Sequence, residues 1–170
     1  MDVDTGSGLT PAFSPDGKFI AVGNRNNTTR LFETSTGKLL HNLPQKMSQE
    51  LAFSPDGKVL AVAYVDGSIV LWNVATGELK HSAATGAQEV YTLDWSPSGD
   101  VLVTAGRLGK IVLWDAQKLK PLKELDAPEW VICVRFSKDG CRLFTAGGSE
   151  DSGKGDRKLT AWEVRNASDK

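Results

Sequence analysis

The chain has 170 residues, 40% of them hydrophobic and 24% charged, with a formal net charge of −1. That balance predicts a soluble, compact protein and excludes a nucleic-acid surface built on excess basic charge. No apolar stretch reaches the roughly 18–20 residues of a membrane span, and Met1-Asp2-Val3-Asp4 lacks the basic and apolar regions of a secretory leader, so a cytoplasmic location without membrane contact is the expectation.

Four copies of one pattern follow in chain order: an apolar run, a tight turn, a second apolar run, a polar loop, and a strand ending in an aromatic. The turns are Ser14-Pro15-Asp16-Gly17, Ser54-Pro55-Asp56-Gly57, Ser96-Pro97-Ser98-Gly99 and Ser137-Lys138-Asp139-Gly140, whose first residues are 40, 42 and 41 apart. Proline presets φ, the Asp or Ser side chain bonds the local backbone, and Gly supplies a positive φ, so each turn joins two antiparallel strands. The runs after them, FIAVGN, VLAVAY, VLVTAG and RLFTAG, are nearly continuous in apolar residues, as sheets covered on both faces require. Third strands end at Phe32, Trp72, Trp114 and Trp162, with Asp66-Gly67 a suitable hairpin turn before the second of them. Fourth strands are KLLHNL, ELKHSA and PLKELD. A period near 40 with strand-length segments is the mark of a β-propeller blade, which cannot bury both faces alone. The fold class expected is therefore all-β, a β-propeller of four-stranded antiparallel blades, placed near residues 8–43, 49–83, 90–126 and 130–165.

At this point the chain resembles the WD-repeat family over essentially its whole length. Trp114-Asp115 matches the naming dipeptide; Phe32-Glu33, Trp72-Asn73 and Trp162-Glu163 are substitutes. The aspartate six residues before the aromatic is present as Asp66 and Asp156, replaced by Asn26 and Leu108 in the other repeats, and the usual Gly-His dipeptide is absent, so the repeats are degenerate. The resemblance implies a non-catalytic scaffold that binds proteins or peptides through loops on one rim and the channel mouth. Function concentrates in such loops when a rigid frame holds them. The equivalent rim positions are Met47, Glu89 and Trp130 before the first strands, and Asn24, Tyr64, Gly106 and Gly148 after the second, with Arg25 and Arg107 next in sequence. Tryptophan, tyrosine and arginine dominate interface energies, which puts Trp130, Tyr64, Arg25 and Arg107 first among the partner-binding candidates. Packing against the neighbouring blade is the other reading of Trp130. Trp72, Trp114, Trp162 and Trp95 are read as core.

Counting back ten positions from Phe13 reaches Val3, leaving almost no room for a strand preceding the first repeat, and after Trp162 only Glu163-Val164 and a polar tail follow. Blade four is expected to stop at three strands with an unpaired edge. Four blades also leave the outer faces of blades one and four open. In an eight-bladed ring each blade takes about 45°, so two chains about a twofold axis would close it. A homodimer forming that ring is the leading expectation. The alternatives are a fragment or regulatory domain of a larger multidomain enzyme or redox protein, a self-closed four-bladed ring, and an engineered or purely architectural assembly without ligand.

Nothing in the sequence calls for catalysis, a cofactor or a metal. Residues 147–156 form an insertion, because the turn-to-aromatic spacing is 25 in the fourth repeat against 18 in the others. Within it Gly148 to Lys154 matches G-x-x-x-x-G-K, but Gly155 replaces the magnesium-binding Ser or Thr and a strand follows where phosphate binding needs a helix. Glu150, Asp151 and Asp156 fit no standard calcium loop. Cys133 and Cys141 are expected as free thiols, with Phe136 opposite Cys141 and Cys133 opposite Phe144 across the hairpin. His41 and His81, at equivalent places in fourth strands, are expected to face solvent.

Overall fold

The computed structural model describes residues 8–24, 27–44, 46–86, 89–127, 130–148 and 158–164. In the first repeat the strands are β1 (Gly8–Phe13), β2 (Phe19–Asn24), β3 (Thr28–Glu33) and β4 (Leu39–Pro44). The second contains β5 (Ser48–Phe53), β6 (Val59–Tyr64), β7 (Ser68–Asn73) and β8 (Leu79–Ala84). The third contains β9 (Val90–Trp95), β10 (Val101–Gly106), β11 (Lys110–Asp115) and β12 (Lys120–Asp126), with a short 3-10 turn at Arg107–Gly109. The fourth contains β13 (Val131–Phe136), β14 (Arg142–Gly147) and β15 (Lys158–Glu163). Each repeat is its own antiparallel meander: three sheets have four strands, and the last has three among the described residues. No described helix is long and apolar enough to cross a membrane.

The first turn shows why each hairpin closes. Ser14 Oγ donates to Asp16 Oδ1 at 2.7 Å, the amide of Lys18 donates to the same oxygen at 3.1 Å, and the amide of Phe19 donates to Ser14 Oγ at 2.9 Å. Gly17 takes φ +71°, a left-handed conformation only glycine adopts without strain. The Ser54/Asp56 and Ser137/Asp139 turns repeat this ladder. Ser98 gives the third turn a weaker copy, with contacts of 3.2 and 3.5 Å.

The sheets stack front to back, the front being the face toward the next repeat. Ala61, Ala63, Ile69 and Leu71 on the front of blade two pack against Leu93, Trp95, Val112 and Trp114 of blade three. Val103, Ala105, Ile111 and Leu113 do the same against Val134, Leu143 and Trp162 of blade four, and Ala21 and Leu31 of blade one against Phe53, Leu60 and Trp72 of blade two. Because side chains alternate along a strand, one run of apolar residues serves two neighbours. Fully burying each large side chain is worth about 1.5–3 kcal/mol, so stacking dominates the stability of every blade. Innermost strands add polar ties between blades: Trp95 Nε1 donates to the Ala52 carbonyl at 3.1 Å, and the Phe136 amide donates to Asp94 Oδ2 at 2.7 Å.

Two local expectations need correction. Across the last hairpin Phe136 faces Leu143 and Cys133 faces Ala146, two positions away from the expected pairing. The Ser137 amide bonds the Arg142 carbonyl and widens the loop, so Cys141 lies outside the strand; both thiols are free. The histidines are half-buried rather than solvent-facing. His41 reaches the second blade, its Nε2 lying 3.2 Å from the Ala75 carbonyl.

Candidate rim interaction site

On one rim the chain repeats a backbone bond that presents the residue before each first strand. The amides of Val65, Arg107 and Gly148 donate to the carbonyls of Met47, Glu89 and Trp130 at 3.1, 3.1 and 3.2 Å. Gly106 and Gly147 precede the last two donors, and a Cβ there would lie 2.0 Å from the Glu89 carbonyl oxygen and 1.7 Å from that of Trp130, whereas in blade two the same bond forms after Tyr64. These glycines are required by close approach, not by φ.

The consequence is a cluster spanning blades three and four. The Arg107 guanidinium lies over the Trp130 ring, 5.0 Å from its centroid. Tyr91 packs against the same ring at 6.3 Å with planes tilted by 59°, and its hydroxyl donates to Glu89 Oε2 at 2.6 Å. Arg107 Nη1 is 3.8 Å from that carboxylate oxygen, with the arginine side chain 41% exposed and the glutamate 29%. Glu89 thus orients both Tyr91 and Arg107, and the stacked arginine and half-buried Trp130 offer a broad apolar and cationic surface at low entropic cost. Beside Trp130 a cavity of about 30 Å³, bounded by Ala127, Thr145, Gly147 and Lys158, is large enough for one water.

The structure brings together Glu89, Arg107 and Trp130 of the expected rim residues. Met47 is half-buried on blade two, beside the Lys46–Asp66 ion pair. Tyr64 is not a rim residue: it is 0% exposed, with its ring in the blade-one to blade-two core. The alternation of β6 turns it there, and burial pushes its phenol up to about 12 against the partial relief of Trp72 and Thr29. Arg25, the side chain of Asn24 and residues 149–156 of the insertion lie outside the described residues. Tyr91 was missed because it sits within a strand, where it is the extra residue of a bulge between Val90 and Thr92 that breaks the alternation.

A second polar group also escaped notice. Arg135 of β13 donates through Nη1 to Thr92 Oγ1 and the carbonyls of Leu93 and Val134, and through Nη2 to Glu50 Oε1 at 3.2 Å. It therefore joins the innermost strands of blades two, three and four. Burial holds the carboxyls of Glu50 and Asp94 above the usual range despite this guanidinium. Among the described residues no group of three or more His, Cys, Asp and Glu is gathered for a metal.

Stacked meander sheets with a loop-built rim define the class as a β-propeller. The chain belongs to the WD-repeat β-propeller family: the family model described as IFT140 first beta-propeller matches residues 17–124, and that of the WD domain, G-beta repeat matches residues 119–162. Propellers of this family commonly mediate protein–protein interaction and are typically non-catalytic. No curated protein sequence matches the chain. Among similar solved structures is hydrazine synthase of Kuenenia stuttgartiensis, with a TM-score of 0.85 and 17% identity over 96% of this chain. The match covers 47% of that chain, so this protein spans under half its length. At that identity the likeness concerns the fold alone.

Proposed function

We propose that the chain is a non-catalytic protein–protein interaction scaffold, one propeller segment throughout, that holds a partner protein or peptide on the blade-three to blade-four rim and pairs with a second copy to close its ring. The observation that carries the rim reading is Arg107 stacked on Trp130 and steered by Glu89 and Tyr91. Aromatic and arginine anchors at the centre of an interface supply most of its energy. Trp130 also packs against Tyr91 of the neighbouring blade, and the Arg107 side chain above it, 41% exposed, is the part left open to a partner.

The test is capture of a partner from the cytoplasm of the source cell, identified by mass spectrometry and then measured as a purified pair. The double variant Trp130→Ala/Arg107→Ala should weaken that pair by roughly tenfold or more. Leu122→Ala, on the exposed outer strand of blade three, should leave it unchanged. Equal affinity in both variants would remove the rim from the proposal.

A further inference from the structure

The two open faces of the blade stack are complementary halves of an interface that the chain already makes three times. Phe13 is 61% exposed, whereas its equivalents Phe53 and Trp95 are 8% and 6% exposed against the preceding blade. Pro11 is exposed and Ile20 partly so, where Leu51, Leu60, Leu93 and Leu102 are buried. At the other end Leu159 is 75% exposed, while Ile69 and Ile111 at the same place in the repeat are 0% exposed. Phe144, Ala146 and Ala161 complete this front, and their equivalents in blades two and three are all buried.

Blade four keeps the apolar character of a front that is covered. In blades one, two and three the paired front positions hold Ala21 with Leu31, Ala61 with Leu71 and Val103 with Leu113, small on the second strand and large on the third. In blade four the pair is Phe144 with Ala161, large on the second and small on the third. The bulk has moved across the strand pair without being lost. A face meant for water would instead carry polar side chains on a strand this open.

We propose that the front of blade four docks on the back of blade one of a second copy of this chain, twice, about a twofold axis along the channel. This deepens the ring closure in the scaffold reading above by naming its surfaces. The occupant follows from the repeat. Each covered front in the chain is covered by a blade back led by Phe53, Trp95 or Phe136. Among the described residues there is one further back of that kind, led by Phe13, and it is uncovered. Since the exposed front and exposed back sit on one molecule at opposite ends of the stack, the contact is head to tail, and at the roughly 45° per blade of an eight-bladed ring two copies would close it.

The experiment is light scattering of the purified chain at micromolar concentration, followed by mixing of variants. The unaltered chain should show the mass of two 18.3 kDa subunits. Leu159→Glu and Phe13→Glu should each raise the dissociation constant by roughly tenfold or more, because each buries an unpaired carboxylate at both junctions. Both residues are exposed within the single chain, so circular dichroism should be unchanged; Ala161→Asp repeats the test on the same face. Mixing the two glutamate variants should restore two-subunit particles, since a mixed pair has one junction free of either substitution. A single-subunit mass for the unaltered chain, a dimer indifferent to both variants, or a mixture that fails to recover would overturn the head-to-tail contact. The rim reading is tested by partner affinity and is untouched by any of these results.

Discussion

At the scale of single residues, the telling comparison is among the three repeat tryptophans. Trp114 and Trp162 each donate Nε1 to a threonine hydroxyl, Thr104 and Thr145, at 2.9 Å. Trp72 sits in the same place, but Val62 replaces the threonine, and its Nε1, buried near the Tyr64 phenol, makes no hydrogen bond of normal geometry. A buried donor left unpaired costs about 1–3 kcal/mol. Val62→Thr should therefore raise thermal stability, by about 2–4 °C if the bond returns roughly 1 kcal/mol, and Thr104→Val should lower it by a similar or larger amount. Calorimetry on the pair checks both signs; a Val62→Thr protein that melts lower would mean that the tryptophans are not equivalent. Removing the ring is the larger change: Trp114→Ala should cost about 3–5 kcal/mol in denaturant unfolding. The repeat made these tryptophans legible as core, since position in a repeat determines which way a side chain points. It could equally have corrected Tyr64. That residue lies four positions after Leu60 in the same strand, so the alternation that buries Leu60 and Val62 buries it as well. Its large polar side chain at a position held by glycine in the next two repeats drew it to the rim instead.

Among elements, the tight turn carries a titratable part of the stability. The Ser14 and Lys18 contacts hold the Asp16 carboxyl below its ordinary value of 3.8, and the matching contacts do so for Asp56 and Asp139. A depressed folded pKa contributes stability that is present above the unfolded value and lost as pH falls through the folded one. The third turn lacks this device because Ser98 stands at the aspartate position. Ser98→Asp should thus raise the melting temperature at pH 7 and have no such benefit at about pH 2, where the new carboxyl is protonated. Glu50 and Asp94, shifted the opposite way by burial, favour the folded state on protonation, so parent and variant must be compared at each pH. A gain that persists at the acid end would show that the new side chain acts by some route other than its charge. Turns of this kind were readable because their chemistry is local. The rim was readable only in part: Glu89, Arg107 and Trp130 stood out singly, but their convergence depends on how blade four stacks on blade three. The Arg135 bridge to Glu50 was invisible for the same reason, its partner being 85 residues away.

For the whole molecule, stacking predicts a gradient of stability along the chain. A propeller blade resembles a repeat whose stability is its own plus that of its interfaces. Blades two and three have a neighbour on each face, and the central four residues of both β7 and β11 are buried. Blade four has a described neighbour only behind it, and β15 is exposed at five of its six residues. Amide hydrogen exchange at nanomolar concentration should therefore be slowest in β6, β7, β10 and β11 and fastest in β14 and β15, because local opening follows the number of covered faces. Raising the concentration should slow exchange in β1, β2, β14 and β15 first, and should raise the melting temperature, because association stabilises only the paired fold. Uniform protection across the four blades would show that the chain unfolds as a single cooperative body, in which case the uncovered faces at its ends would not be its points of weakness.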